Sequence, residues 1–191
     1  DPAEEAARRI ADGDVVFWQG DGTSALYDQF VAGVLATMAD FTLFYAPNVN
    51  SYKRFAAGSF APTTIAWGTD NRTCAVRVVG HGHSMRMENR APGGDVNQYL
   101  AVAALIAGGL HGIDEGLELP DPVAGNAYAG DAQRLPTTLA EAAELFANSA
   151  VARSAFGDDV VEHYLNNARV EVAAFNSAVT DWEKVRGFER F

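Results

Sequence analysis

Six of the chain's fourteen lysines and arginines (Lys53, Arg54, Arg72, Arg77, Arg86 and Arg90) fall within a stretch that holds only two acids, Asp70 and Glu88. The whole chain carries a formal net charge of −11, so its overall field repels anions and a local excess of cations needs a local reason. The simplest reason is a site for small, highly charged anions. Its densest part is Arg86-Met87-Glu88-Asn89-Arg90. On a strand, side chains alternate between faces, which aligns Arg86, Glu88 and Arg90 on one side and sends Met87 and Asn89 to the other. A carboxylate between two guanidiniums suits a metal–phosphate site: the carboxylate holds a hard divalent cation, and the guanidiniums clamp phosphate or carboxylate oxygens. The same spacing also suits an ion-pair ladder on a solvated face. Against the ladder stands the surplus of charge, because Arg54, Arg72 and Arg77 cannot all be paired by two acids.

Other groups contribute less. His81 and His83 flank Gly82 and could join Glu88 as metal ligands, but no third neutral ligand lies nearby, and they read as loop or rim histidines. His111 and His163 fall in helical segments and read as structural. Cys74 is alone, which excludes an intrachain disulfide framework and a thiolate zinc site. Neither a Gly-x-x-x-x-Gly-Lys-Ser/Thr loop nor a Gly-x-Gly-x-x-Gly turn occurs, so phosphate handling falls to arginines and a metal. The acidic balance argues against nucleic acid as a partner. No apolar run approaches the roughly 20 residues of a membrane span, and the sequence shows no signal-peptide pattern. The expectation is a cytoplasmic protein, with the sequon Asn71-Arg72-Thr73 unused, whose natural polypeptide begins upstream of Asp1.

The elements that must position these residues follow from periodicity and turn signals. A helix is expected over 3–11, a turn at Asp12-Gly13-Asp14, a short strand over 15–18, and a break at Gly20-Asp21-Gly22 with Thr23 as helix cap. Leu26, Phe30, Val34 and Met38 recur every four residues, one apolar stripe on a helix over 24–38. Residues 46–62 show no period. Strands are expected over 63–67, 73–79 and 86–90, then a loop whose Asp95 caps a helix over 96–117. Pro120, Pro122, Gly125, Gly130 and Pro136 mark a connecting loop, and helices over 138–147, 158–175 and 178–188 complete the chain. Strands in the middle followed by helices give an α+β fold, not alternating α/β. At 191 residues with 48% hydrophobic content the chain is long enough for one core.

Taken together, the motifs Asn50-Ser51-Tyr52-Lys53-Arg54, Ala61-Pro62, Asp70-Asn71-Arg72, Arg77 and Arg86-Met87-Glu88-Asn89-Arg90 resemble the glutamine synthetase family. The run from Pro92-Gly93-Gly94-Asp95 through Asn97-Gln98-Tyr99-Leu100, and Val179-Thr180-Asp181-Trp182-Glu183, continue the resemblance in order. It covers the C-terminal half of that family's catalytic domain from about Ser24. Residues 1–23 match poorly and read as a divergent N-terminal segment ahead of a 24–191 catalytic part. The resemblance implies an antiparallel sheet lined by Arg and Glu with helices behind it. It also implies ATP and Mg2+ (or Mn2+) as cofactors, glutamate and an amine or ammonia as substrates, and a homo-oligomeric ring with sites between subunits.

Position by position, the resemblance implies that Arg54 binds a glutamate carboxylate and that Arg72 and Arg77 contact ATP phosphates, Arg72 also steadying the phosphoryl group in transfer. Arg86 would lie against the nucleotide, Glu88 would bind the divalent metal, and Arg90 would hold the side-chain carboxylate or its acyl phosphate. Ammonia-using members carry a Glu in the loop after Asn-Ser-Tyr-Lys-Arg that takes the ammonium proton. Here that position is Phe60, an apolar wall suited to an alkylamine. The surrounding segment looks like the branch that makes γ-glutamyl amides of polyamines or ethanolamine. Tyr128 falls near a position where some relatives are regulated by adenylylation, and here reads as structural. Three readings follow: a γ-glutamyl amide ligase, a glutamine synthetase with a divergent loop, or an inactive anion-binding fragment. The metal ligands that family members bring from their N-terminal half are absent from these residues, so the isolated chain is expected to be inactive.

Overall fold

In a computed structural model of the chain, which describes residues 2–13, 16–20 and 22–190, the elements begin with α1 (Pro2–Ala11), β1 (Trp18–Gln19), β2 (Gly22–Thr23), α2 (Ala25–Ala36) and α3 (Met38–Tyr45). A small sheet follows: β3 (Trp67–Thr69), β4 (Val76–Val79) and β5 (Arg86–Asn89). The helices α4 (Gln98–Asp114), α5 (Leu139–Asn148), α6 (Ala150–Phe156), α7 (Asp158–Ser177) and α8 (Asp181–Arg190) come after it. This is the α+β order that the sequence suggests. Asp14, Val15 and Asp21, which belong to the expected turn, strand and break near the N-terminus, lie outside the described residues. Among the described residues no helix is long and apolar enough to cross a membrane.

The stripe from Leu26 to Met38 does form helix, but the helix divides at Thr37. The Thr37 hydroxyl donates to the Gly33 carbonyl (2.8 Å) and its backbone leaves the helical range slightly, at φ −96° and ψ −1°. Hydroxyl back-bonding of this kind competes with the helix ladder and bends it. The cap of α2 is Ser24, not Thr23. Its hydroxyl accepts from the Tyr27 amide and donates to the Val16 carbonyl (2.6 Å), pinning the N-terminal segment to the helix start. α2 lies against α4 at glycine-to-glycine distance. A Cβ on Gly33 would meet the Gly108 carbonyl and the Gly112 amide, so backbone touches backbone there. On the other side of α3, Phe44 packs edge-on against Phe146, Phe156 and Tyr164, joining α3 to α5, α6 and α7. These rings and the buried Phe41, Met38 and Val34 form the core. The stripe is therefore packing material and not a ligand surface.

The sheet order is β3-β4-β5. β4 and β5 are antiparallel, with Arg77 opposite Glu88 and Val78 opposite Met87. β3 departs from the expected antiparallel arrangement: it runs parallel to β4, Trp67 opposite Val76. Parallel pairing ordinarily needs a crossover of a dozen residues or more. Here the strands are so short that residues 70–75 suffice to return the chain. The edge of β3 is covered by the connecting loop, through Val123 N–H to the Trp67 carbonyl (2.8 Å) and Trp67 Nε1 to the Pro120 carbonyl (2.6 Å). Loop cover of this kind is how natural sheets avoid an open edge.

Candidate functional site

Alternation along β4 and β5 decides what the sheet presents. Val76 and Val78 are buried in the core, so Arg77 points to the opposite face, where its partner across the strands is Glu88. Arg77 Nη1 donates to Glu88 (3.3 Å), and Arg90 Nη1 donates to the same carboxylate oxygen (2.9 Å). Arg77 also pairs with Asp70 through Nε (3.0 Å) and Nη2. Both local acids are thus spent on Arg77 and Arg90. Arg72 and Arg86 form no salt bridge with a carboxylate among the described residues, and both are exposed. Arg86 donates instead to the Ser84 carbonyl (3.1 Å). The unpaired positive charge of Arg72 and Arg86 therefore sits at the surface, around an ion-paired centre.

Burial pushes the Glu88 carboxyl up, yet the hydrogen bonds from Arg90 and Arg77 outweigh it and hold Glu88 below the usual carboxylate range. Asp70 is likewise held down, by the Arg77 guanidinium. Both acids are ionised at neutral pH, so the centre is a fixed array of alternating charges.

Arg54 reaches this centre from a different direction. It closes the 3-10 turn Val49–Arg54, which is built by reciprocal bonds between Asn48 and Ser51. Its guanidinium donates to the main-chain carbonyls of Arg90 (3.4 Å) and Ala91 and lies over the Phe55 ring at 5.0 Å. Partial burial pulls the pKa of Arg54 down, and the charge of Asp95 opposes that shift. Asp95 does not cap α4, contrary to expectation; Asn97 does, accepting from the Tyr99 and Leu100 amides. Asp95 accepts instead from the Ser51 hydroxyl (2.6 Å) and the Asn48 amide (3.0 Å). It thereby ties the turn bearing Arg54 to the loop that follows Arg90, and the bond from Ser51 holds its own carboxyl below the ordinary range. Sequence reasoning missed this tie because its partners are more than forty residues apart.

Phe60 stands at the rim. The residue is 58% exposed and its backbone is left-handed, φ +58°, an uncommon conformation for a bulky residue. Its carbonyl accepts from Arg90 Nη2 (2.8 Å), so Phe60 and Glu88 share one guanidinium. The structure therefore brings Arg54, Phe60, Arg77, Glu88 and Arg90 together, and leaves Arg72 and Arg86 on exposed flanks. His81 supplies its backbone to the turn Gly82–Ser84, and the side chain of His83 lies outside the described part. Cys74 is buried, and burial pushes its thiol up, which suits a packing role.

The donor set for a metal is a single carboxylate. Among the described residues no group of three or more His, Cys, Asp and Glu side chains is placed to hold an ion. At this centre Glu88 is already shared, one of its carboxylate oxygens accepting from both Arg77 and Arg90, and the described residues do not build a complete metal site around it.

Comparison with known proteins follows the same lines. The sequence pattern of the family described as glutamine synthetase, catalytic domain, matches residues 9–186. The gamma-glutamylethanolamide synthetase of Streptomyces coelicolor is 62% identical over 180 residues, which are 94% of this chain and 39% of that protein. The glutamate–isopropylamine ligase of a Pseudomonas species is 40% identical over 181 residues, 91% of this chain and 39% of its own length. A solved structure of GmaS in complex with ADP superposes with a TM-score of 0.82 at 30% identity, covering 94% of this chain and 43% of that one. The chain spans about two fifths of the length of the curated relatives it matches. A pattern match over nearly the whole chain, with more than half the residues shared with one relative, places the chain in the glutamine synthetase catalytic-domain family.

Proposed function

We propose that this chain supplies the phosphate- and acid-binding face of an ATP-dependent ligase that joins glutamate to a primary amine. The observation that supports it most is Glu88 held between Arg77 and Arg90, with Phe60 hung from Arg90 at the rim. In the reaction, the γ-phosphoryl group of ATP passes to an oxygen of the glutamate side-chain carboxylate, its bond to the bridging oxygen of ADP breaks, and a γ-glutamyl phosphate forms. The amine nitrogen then bonds to the acyl carbon, the carbon–oxygen bond to phosphate breaks, and the nitrogen gives a proton to a base that Phe60 cannot be. Charge spreads over the phosphoryl oxygens in the transition state, so fixed guanidiniums stabilise it more than they stabilise the ground state. Arg72 and Arg77 take the ATP phosphates, Arg72 following the phosphoryl group, and Arg86 takes the nucleotide. Arg54 takes a glutamate carboxylate, and Arg90 takes the acid that becomes the acyl phosphate. A divalent cation such as Mg2+ or Mn2+ would neutralise phosphate charge when bound, with Glu88 as one of its ligands.

The acceptor reading rests on Phe60 and on the two amine-ligase relatives. An exposed aromatic wall favours an alkyl group, and its lack of charge removes any attraction for ammonium. Assembly into a larger oligomer accords with exposed apolar residues on α4 (Tyr99, Val102, Ile106) and α8 (Trp182, Phe188), and a cytoplasmic setting belongs to the same reading. The experiment is an amide-formation assay with ethanolamine, isopropylamine and ammonium at equal concentration, for the protein at its natural length and its Phe60→Glu variant. The unsubstituted protein is expected to prefer an alkylamine about ten-fold or more, and the variant to gain ammonium use. An ammonium preference in the unsubstituted protein would replace this reading with that of a glutamine synthetase. The 191 residues alone are expected to form no amide, because one carboxylate does not hold the metal.

A further inference from the structure

We propose that Tyr128 is a positioning residue for the amine subsite: its hydroxyl holds the Ala61 carbonyl and thereby sets where Phe60 stands. The inference rests on the reading of Phe60 given above. The loop that carries Phe60 contains two left-handed residues, Gly58 at φ +82° and Phe60 at φ +58°. Glycine adopts that conformation freely, but phenylalanine does so only when its surroundings over-determine it. Three side chains do this. The Ser59 hydroxyl donates to the Ala56 carbonyl (2.6 Å) and accepts from the Ala61 amide (3.2 Å). Arg90 holds the Phe60 carbonyl. Tyr128 donates to the Ala61 carbonyl at 3.0 Å, from 67 residues further along the chain.

The first two belong to the loop itself and to the anion centre, so they are present for other reasons. Tyr128 is not, and it is carried there by a chain of contacts. Asn126 accepts from the Tyr128 amide (3.0 Å) and shapes the turn Ala127–Ala129. The Ala127 amide donates to the Thr73 hydroxyl (2.9 Å), and the Thr64 hydroxyl donates to the Ala127 carbonyl (3.3 Å). Asn71 donates to the carbonyls of Val123 (3.1 Å) and Gly125 (2.7 Å). Asn71 and Thr73 flank Arg72. The turn bearing Arg72 and the loop bearing Phe60 are therefore held to the same support, and Tyr128 is its last link to Phe60.

The test is Tyr128→Phe, which keeps the ring and removes one hydrogen bond. In the chain itself, amide hydrogen exchange at Ser59 and Ala61 is expected to quicken roughly five-fold, the loss typical of one hydrogen bond, with the α2 and α4 amides unchanged. In the protein at its natural length, KM for ethanolamine is expected to rise by a similar factor while kcat and KM for ATP stay within about two-fold. Unchanged exchange at Ser59 and Ala61 would overturn the contact. Faster exchange with an unchanged KM for ethanolamine, or an equal rise in every KM, would overturn the positioning role. Absence of amide formation by the unsubstituted protein would instead bring down the ligase reading, and the role of Tyr128 with it, while the exchange data still judge the contact.

Discussion

The α2–α4 contact and the Arg77–Glu88–Arg90 centre solve opposite problems. At the first, glycines bring two helices so close that Gly33 lies on the backbone of Gly108 and Gly112. The close backbone approach leaves no room there for a side chain. At the second, charged side chains stand on two four-residue strands, a 3-10 turn and two loops, with Glu88 44% exposed and Arg90 16%. Most of the buried apolar core lies in the helices, and the charged centre proposed for recognition stands on short segments tied down by individual hydrogen bonds. A site on such segments is expected to tolerate substitution without unfolding the protein, and the helix contact is not.

Substitution at the helix contact should have the largest effect. Gly33→Val would drive its Cβ into main-chain atoms of Gly108 and Gly112, and overpacking of this kind costs up to about 3 kcal/mol. The expected outcome is a melting temperature lower by roughly 10 °C, or an insoluble chain. A thermal melt by circular dichroism within about 2 °C of the parent would show the contact to be looser than described. Next comes Glu88→Gln, which leaves both guanidiniums without their shared anion. We expect ATP-dependent amide formation to fall by roughly 100-fold, as when a transition-state charge partner is lost, while the melt shifts by only a few degrees. A variant that unfolds would erase the distinction between the two regions.

Smaller effects refine the comparison. Asp95 has its carboxyl held below the ordinary range by Ser51 and Asn48, so its ionised form favours the folded state. That contribution is complete above the unfolded value near 3.9 and is lost as pH falls through the lower folded value. Asp95→Asn is therefore expected to cost about 1 kcal/mol at pH 7, because solvent screens the exposed carboxylate, and the gap should close as pH falls below about 4. A gap that does not depend on pH would mean that the Asp95 charge does not matter. The smallest effect is Phe60→Gly: relief of the left-handed backbone offsets the added freedom of the unfolded chain, and the melt should move by no more than about 2 °C. The same variant should lose its preference for alkylamines, measured by the amine panel.

Much of this was legible beforehand. Alternation on a strand put Arg86, Glu88 and Arg90 on one face, because the period of two is a property of the backbone and needs no neighbour. The four-residue stripe through Leu26, Phe30, Val34 and Met38 announced buried helix for the same reason. Order was also legible: the starts of α2, α4, α5 and α7 and the proline- and glycine-marked loop between 120 and 136 fall close to where turn chemistry puts them, whereas α6 was not expected and α8 starts three residues late. The caps shifted by one or two residues, from Thr23 to Ser24 and from Asp95 to Asn97. Several adjacent residues had capping side chains, and only packing chose between them.

By itself, then, the sequence determined the chemistry on offer: a basic island with two acids, an Arg-x-Glu-x-Arg strand, and a phenylalanine in a glycine-bounded loop. Only the tertiary structure decided how those groups are spent. It assigned both acids to Arg77 and Arg90, gave Arg54 two main-chain carbonyls as partners, laid β3 parallel to β4, and set Tyr128 against Ala61. Each of those outcomes joins atoms that are distant along the chain or share several possible partners. Local propensity reads the few residues on either side of a position, and the partner of Tyr128 lies 67 residues away.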